Sequence, residues 1–136
     1  GGNTFSTILL SVDGYDHLAR KYGENSGKIV LCAIAQALEN GLRDMDLVAR
    51  YNDTTFGLVL PKATLRDAVC IGERMRKTIG KTTLTVDGQE VRFTVSLGIV
   101  EVADGDEMAT LVERARAELG LASTSGGNRS GFATAS

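Results

Sequence analysis

The order of its short apolar segments constrains the fold of this 136-residue chain more than any other feature. Thr7 to Val12 is an apolar run rich in strand formers, and Ser26 to Leu42 repeats its apolar residues at helical spacing. Two strand-like runs follow, Asp46 to Tyr51 and Phe56 to Leu60, and the turn-forming residues between them predict a hairpin. The first half of the chain is therefore predicted to form a strand, a helix and a hairpin.

The second half adds a helix, a small hairpin, a long strand and a last helix. Thr64 lies three residues before Asp67, which is the spacing of a capping box at a helix start. Asp87-Gly88 is a strong signal for a two-residue hairpin, apolar residues alternate over 95–99, and 108–119 has one apolar helical face. The order β-α-β-β-α-β-α predicts an α+β fold of the ferredoxin-like βαββαβ type, with helices on one face of an antiparallel sheet.

The composition is typical of a soluble globular domain, with 43% hydrophobic and 24% charged residues. The length predicts a single domain over 1–136, with loose ends at 1–3 and 130–136, taken from a longer multidomain protein. A net charge of −2 gives no reason to expect contact with nucleic acid or a membrane. No apolar run approaches the ~20 residues of a membrane span, and the N-terminus does not resemble a signal peptide. A cytoplasmic domain is expected.

The two cysteines, Cys32 and Cys70, belong to no CxxC or Cys/His pattern, and His17 is the only histidine. A zinc site is therefore not expected. Both cysteines have apolar neighbours in helical segments, so we predict reduced thiols that are buried or partly buried.

Five segments carry a family resemblance, and they lie at 10–13, 21–27, 42–51, 56–61 and 94–99. Residues 42–51 read LRDMDLVARY, close to the motif LRxxDLVARY, and 94–99 read TVSLGI, close to TVSIGV. In order and spacing, the segments resemble the GGDEF family of diguanylate cyclases over nearly the whole chain. The resemblance implies a nucleotidyl-cyclase palm with a sheet flanked by helices. It also implies a role in bacterial signal transduction through the second messenger cyclic di-GMP.

The chain departs from the family pattern at the signature itself. Between Arg50-Tyr51 and Phe56 the family has Gly, Gly, Asp or Glu, and Glu; this chain has Asn52, Asp53, Thr54 and Thr55. The resemblance assigns the two magnesium ligands to Ser11 and Thr54, which are neutral hydroxyls where Mg²⁺ prefers carboxylates. We therefore expect no magnesium and no other cofactor.

The nucleotide-binding positions that the resemblance implies also differ. The two guanine-reading positions fall on Ala19 and Lys28, and Lys28 offers only donors where guanine needs an acceptor. The phosphate-binding lysine of the last helix falls on Ser123. The prediction is a degenerate domain that is not an enzyme (a pseudoenzyme).

The residues of a second, inhibitory-type site of the family are retained here, both in residue type and in spacing. Arg43 and Asp46 form its Arg-x-x-Asp five residues before Asn52, and Arg74 matches a further arginine of this site. An arginine can donate to guanine O6 and N7, and a carboxylate can accept from N1–H and N2–H. The alternative interpretation is a solvated ion pair of Arg43 and Asp46 at a helix exit, with Arg74 an ordinary surface charge.

These residues predict a non-catalytic receptor that binds cyclic di-GMP through Arg43, Asp46 and Arg74 and acts on fused sensor or effector domains or on a partner signalling protein. The alternative is a ligand-independent module for dimerisation or protein interaction, with a homodimer as one option. Residual nucleotide hydrolysis is a third reading, which the neutral Ser11 and Thr54 disfavour. The sequence does not decide between the receptor and the interaction module, because both would keep the fold and lose the catalytic residues.

Overall fold

A computed structural model describes residues 4–133. The expected loose end at 1–3, and residues 134–136 of the one expected at 130–136, lie outside the described part. The elements follow the predicted order with additions. They are β1 (Phe5–Val12), α1 (Tyr15–Tyr22), α2 (Glu24–Gly41), β2 (Leu47–Asn52), β3 (Thr55–Pro61), α3 (Leu65–Gly80), β4 (Thr83–Val86), β5 (Gln89–Arg92), β6 (Val95–Glu101), α4 (Met108–Thr124) and β7 (Ser130–Phe132).

The main sheet has five strands in the order β2-β3-β1-β6-β7. The first four pair antiparallel, whereas β7 pairs parallel to β6, with Leu97 opposite Ser130. The α+β prediction is confirmed, but the sheet is mixed, because α4 acts as the crossover connection that parallel pairing requires. Residues Ser130–Phe132 were expected to be a loose end and instead form β7.

Helices cover both faces of this sheet, so the prediction of helices on one face was wrong. Alternation along β1 sends Ile8 and Leu10 into the larger core, to which α2 and α3 contribute. Leu9 points the other way and packs with Leu111 and Ala115 of α4. A strand buried on both faces is apolar at consecutive positions, which explains the unbroken apolar run of β1.

Close contact between α4 and the sheet depends on Gly98 of β6. A Cβ at this position would overlap backbone atoms of Ala115 and Leu119 on α4. The helix can therefore lie directly on the strand only because this residue has no side chain.

The predicted capping box at the start of α3 is confirmed. The Asp67 backbone N–H donates to Thr64 Oγ1 over 3.2 Å, and the Thr64 N–H donates to the Asp67 carboxylate over 3.1 Å. Helix α1 was missed, because it has only eight residues, lies between Gly14 and Gly23 and buries only Leu18, so its segment resembles a turn. In the described part of the chain, no helix has the length and apolar character needed to cross a membrane.

Candidate regulatory site and nucleotide cleft

An open cleft of about 970 Å³ lies between α1, α2 and the β2–β3 hairpin. Its lining includes Ala19, Lys28, Asp53 and Thr54, four of the positions predicted from the resemblance. Ser11, near the end of β1, and Ser123, in the last turn of α4, are not among the lining residues. The fold thus gathers four of the predicted active-site positions at one cleft.

The hairpin positions Asp53 and Thr54 through local hydrogen bonds. Asn52 Oδ1 accepts from the Thr54 N–H over 3.0 Å, and Arg50 Nη1 donates to the Asp53 carbonyl over 2.8 Å. Thr55, opposite Asn52 in the ladder, is buried. The predicted hairpin is confirmed, and its tight turn holds Asp53 and Thr54 at the rim of the cleft.

Charge in the cleft is mixed. Within residues 4–133, none of its charged side chains forms an ion pair. They are the cations Arg20, Lys28 and Arg50 and the carboxylates Asp16, Glu24 and Asp53. These charged side chains can therefore contact an anionic or polar ligand without first breaking an internal salt bridge.

Cys32 also lines the cleft, and both Cys32 and Cys70 are exposed, so the prediction of buried or partly buried thiols was wrong.

The positions assigned to magnesium do not supply a carboxylate pair. Ser11 and Thr54 are hydroxyls. Asp13, two residues after Ser11, already accepts from Ser96 Oγ, Thr94 Oγ1 and the Asn128 N–H, each over 2.7 Å. In the part of the chain that the structure describes, no three His, Cys, Asp or Glu side chains are arranged to hold a metal ion. These residues do not fit Mg²⁺ as they stand. That no magnesium binds remains a prediction.

Arg43 and Asp46 form a closely coupled pair at the end of α2. Asp46 Oδ1 accepts from Arg43 Nη2 over 2.7 Å and from Nε over 3.1 Å, while Oδ2 accepts from the Arg43 backbone N–H over 2.8 Å. Arg43 Nη2 also donates to the Pro61 carbonyl over 3.1 Å. The hydrogen bonds to Asp46 raise the pKa of Arg43. The Asp46 side chain is 0% exposed and that of Arg43 is 37% exposed, which is not the geometry of a solvated pair.

Arg74 reaches the same loop from α3. Its Nη2 donates to the Gly41 carbonyl over 2.7 Å, at the last residue of α2. The three residues predicted for the regulatory site, Arg43, Asp46 and Arg74, are therefore gathered around the loop that joins α2 to β2. We call residues 41–46 together with Arg74 the α2–β2 site.

A polar cluster that the sequence did not reveal anchors the C-terminal segment. Glu73 accepts from Arg76 Nε over 2.7 Å and from Ser130 Oγ over 2.7 Å, and Arg76 Nη1 donates to Asn128 Oδ1 over 2.8 Å. Hydrogen bonds from Arg76, and then from Ser130, lower the pKa of Glu73 to about 2. Only the i,i+3 spacing of Glu73 and Arg76 is visible in the sequence; their partners lie more than fifty residues away.

Comparison with known proteins places these features in a family. The family model described as "Diguanylate cyclase, GGDEF domain" matches residues 1–129. The chain is 34% identical over 125 residues to diguanylate cyclase DgcM of Escherichia coli K12, covering 92% of this chain and 30% of that protein. It is 35% identical over 131 residues to diguanylate cyclase VdcA of Vibrio cholerae, covering 94% of this chain and 39% of that protein. The chain thus spans about a third of these curated relatives.

Solved structures agree in fold. Diguanylate cyclase SiaD of Pseudomonas aeruginosa, in complex with its activator SiaC, has a TM-score of 0.93 at 33% identity, covering 97% of this chain and 51% of that chain. The GGDEF domain of DgcB from Caulobacter crescentus, in complex with c-di-GMP, has a TM-score of 0.92 at 23% identity, covering 97% of this chain and 79% of that chain. The predicted nucleotidyl-cyclase palm is confirmed.

These comparisons contradict the prediction that the chain is not an enzyme, because the relatives it matches over more than nine-tenths of its length are named diguanylate cyclases. The prediction rested on the combined differences at the metal-binding and nucleotide-binding positions, among them Ser11, Thr54 and Lys28. The residues that surround those positions keep the fold and the cleft. The chain belongs to the GGDEF family of diguanylate cyclases.

Proposed function

We propose that this domain binds cyclic di-GMP at the α2–β2 site and acts there as a regulatory module in cyclic di-GMP signalling. The observation that carries the proposal is that two guanidinium groups are held at one loop by their own hydrogen bonds. Arg43 is fixed by Asp46 and Pro61, and Arg74 is fixed by Gly41. Membership of the family, and the c-di-GMP complex of the DgcB GGDEF domain, support this choice of ligand.

The chemistry of the ligand suits two fixed arginines. Guanine presents O6 and N7 as neighbouring acceptors, and each cyclic dinucleotide also carries two anionic phosphates. A guanidinium group can donate to either and can stack on a purine face. Because both side chains are already oriented, less conformational entropy is lost on binding than for free surface arginines.

An exposed edge strand favours a second candidate function, association with a partner signalling protein or a second copy of the domain. Strand β2 lies at the edge of the sheet, with Leu47 63% exposed and Tyr51 42% exposed. Met45, just before the strand, is 49% exposed. Edge strands with apolar side chains are common contact surfaces for other chains.

Calorimetric titration with cyclic di-GMP tests the first proposal. We expect a dissociation constant in the micromolar range or tighter, about −8 kcal/mol. Arg43→Ala and Arg74→Ala should each weaken binding by about tenfold or more, ~1.4 kcal/mol, because each removes charge-assisted hydrogen bonds.

Arg116→Ala is the matched control, since Arg116 forms an exposed ion pair with Glu113 on α4, which packs on the other face of the sheet. It should leave affinity unchanged. Absence of binding at excess ligand, or unchanged affinity in Arg43→Ala, would overturn the proposal.

A further inference from the structure

The outer face of α3 carries a straight row of positive charge. Its cations are four exposed residues, namely Arg66, Arg74, Lys77 and Lys81. At about 100° per residue, the four side chains fall within an arc of about 80° on one side of the helix. A rise of 1.5 Å per residue makes the row about 22 Å long. We call these four residues the α3 ridge.

The charge of the α3 ridge is not neutralised by ion pairs within residues 4–133. None of its four cations forms a salt bridge there. The two carboxylates of the same helix are used elsewhere, because Asp67 closes the capping box and Glu73 accepts from Arg76 and Ser130. Like charges three or four residues apart destabilise a helix. The row is therefore unfavourable until an anionic group lies beside it.

The rest of the chain has the opposite charge. Of the 15 lysines and arginines, the 11 outside the α3 ridge stand against 17 acidic residues, which gives a net charge of −6. A nucleic acid or an anionic membrane would extend beyond the ridge and meet this acidic surface. The ridge also has no aromatic or apolar side chain to stack on bases or to enter a membrane. A narrow anionic surface matches it better than either.

We propose that the α3 ridge binds an acidic helix of a partner protein. A helix with carboxylates three and four residues apart presents a row of negative charge with the same spacing as the ridge. When such a helix lies alongside α3, opposite charges are adjacent over about 22 Å. Guanidinium and ammonium groups both donate charge-assisted hydrogen bonds to carboxylates. This surface does not depend on cyclic di-GMP binding at the α2–β2 site.

Two synthetic peptides of identical composition test the pattern that the ridge recognises. Both are helical peptides of about 20 residues, rich in alanine and glutamine, with five glutamates; one has the glutamates on one face and the other has them spread around the helix. In ~50 mM salt, the one-face peptide should bind about fivefold more tightly or better, and its affinity should fall severalfold in ~200 mM salt. Equal affinities of the two peptides, or an affinity that salt does not change, would overturn the proposal.

Charge reversal tests the location of binding. Lys77→Glu with Lys81→Glu should weaken binding of the one-face peptide about tenfold or more, because two attractive pairs become repulsive. Lys21→Glu with Arg116→Glu is the matched control, since it changes the net charge equally at exposed residues of α1 and α4. The control should weaken binding by less than about threefold, because solvent screens distant charges. Equal losses in the two double variants would show that only net charge matters.

Other occupants of the ridge are measured with the same proteins. They are a single-stranded DNA of about 20 nucleotides, vesicles with about 30% phosphatidylglycerol, and a second copy of the domain, followed by sedimentation velocity. Tighter binding to the DNA or the vesicles than to the one-face peptide would overturn the proposal. Self-association that Lys77→Glu with Lys81→Glu abolishes would do the same. The comparison of the two peptides uses only the wild-type domain, so the proposal stays testable if the ridge variant fails to fold.

Discussion

Glu73→Gln tests how strongly α3 holds the C-terminal segment. Glu73 accepts two hydrogen bonds from Arg76, over 2.7 and 2.8 Å, and one from Ser130 at the start of β7. These contacts hold the pKa of Glu73 at about 2, below its ordinary value of 4.5. Glutamine keeps the shape of the side chain and removes the charge, so the variant isolates the contribution of the carboxylate.

The expected loss in the free energy of unfolding follows from this lowered pKa. A carboxylate whose pKa is lower in the folded state stabilises the fold above its unfolded pKa of 4.5, and this stability is lost as the pH falls through 2. The full shift corresponds to ~3 kcal/mol, at ~1.4 kcal/mol for each pH unit. Because the Glu73 side chain is 32% exposed, solvent screening reduces the expected effect to ~1–2 kcal/mol. The penalty of Glu73→Gln should be full at pH 7 and fall by more than half by about pH 3.

Urea denaturation at pH 7, 4 and 3 measures the free energy of unfolding of both proteins. Glu113→Gln is the matched control, since Glu113 pairs with Arg116 at the same i,i+3 spacing and is 72% exposed. The control should cost less than about 0.5 kcal/mol at every pH. A penalty for Glu73→Gln that does not change between pH 7 and pH 3, or that equals the control, would refute the reasoning.

Four further substitutions test the packing and the polar contacts through the same free energy of unfolding. Gly98→Ala should cost ~1–3 kcal/mol because α4 must move off the sheet, whereas Gly120→Ala, with open space around it, should stabilise α4 by up to ~1 kcal/mol; equal effects would contradict the packing argument. Thr7→Val should stabilise the fold by ~1 kcal/mol, because within residues 4–133 the buried Thr7 hydroxyl has no hydrogen-bond partner; a loss of stability would show that it has one. Asp13→Asn should cost ~2 kcal/mol, because Asp13 accepts from three donors and an amide brings a competing N–H; a neutral result would contradict this network.

Local patterns predicted the fold well where the deciding interactions are local. The Asp87-Gly88 pair forms a two-residue turn with positive φ at both residues, as a hairpin of this kind requires. The capping box of Thr64 and Asp67 is likewise set within four residues. Such features depend on neighbours in the sequence and can be predicted from it.

Strand β7 could not be predicted in the same way. A strand of three residues is too short to show alternation, and it depends on contacts with distant parts of the chain. Ser130 bonds to Glu73, and the preceding Asn128 bonds to Arg76 and Asp13. These contacts arise only after the sheet and α3 have formed.

The sequence predicted several of the residues that meet at each site, although Ser11 and Ser123 do not line the cleft, but it did not predict how the side chains are used. Spacing placed Arg43 and Asp46 together, yet the same spacing allows the carboxylate to face a ligand or to fold back on Arg43. The contact of Arg43 with the Pro61 carbonyl, eighteen residues away, helps to fix the closed arrangement. The exposed thiol of Cys32 was missed because its helix turns that position toward the cleft, against the usual preference of cysteine for burial.

Nuclear magnetic resonance of the isotope-labelled domain, titrated with cyclic di-GMP, tests the central claim most directly, because it reports affinity and location together. We predict saturable shifts of the backbone amides over 41–46 and of the Nε–H signals of Arg43 and Arg74, with little change at Lys28 and Asp53 in the cleft. Shifts confined to Lys28, Asp53 and their neighbours, or no shifts at excess ligand, would contradict a cyclic di-GMP site at the α2–β2 loop.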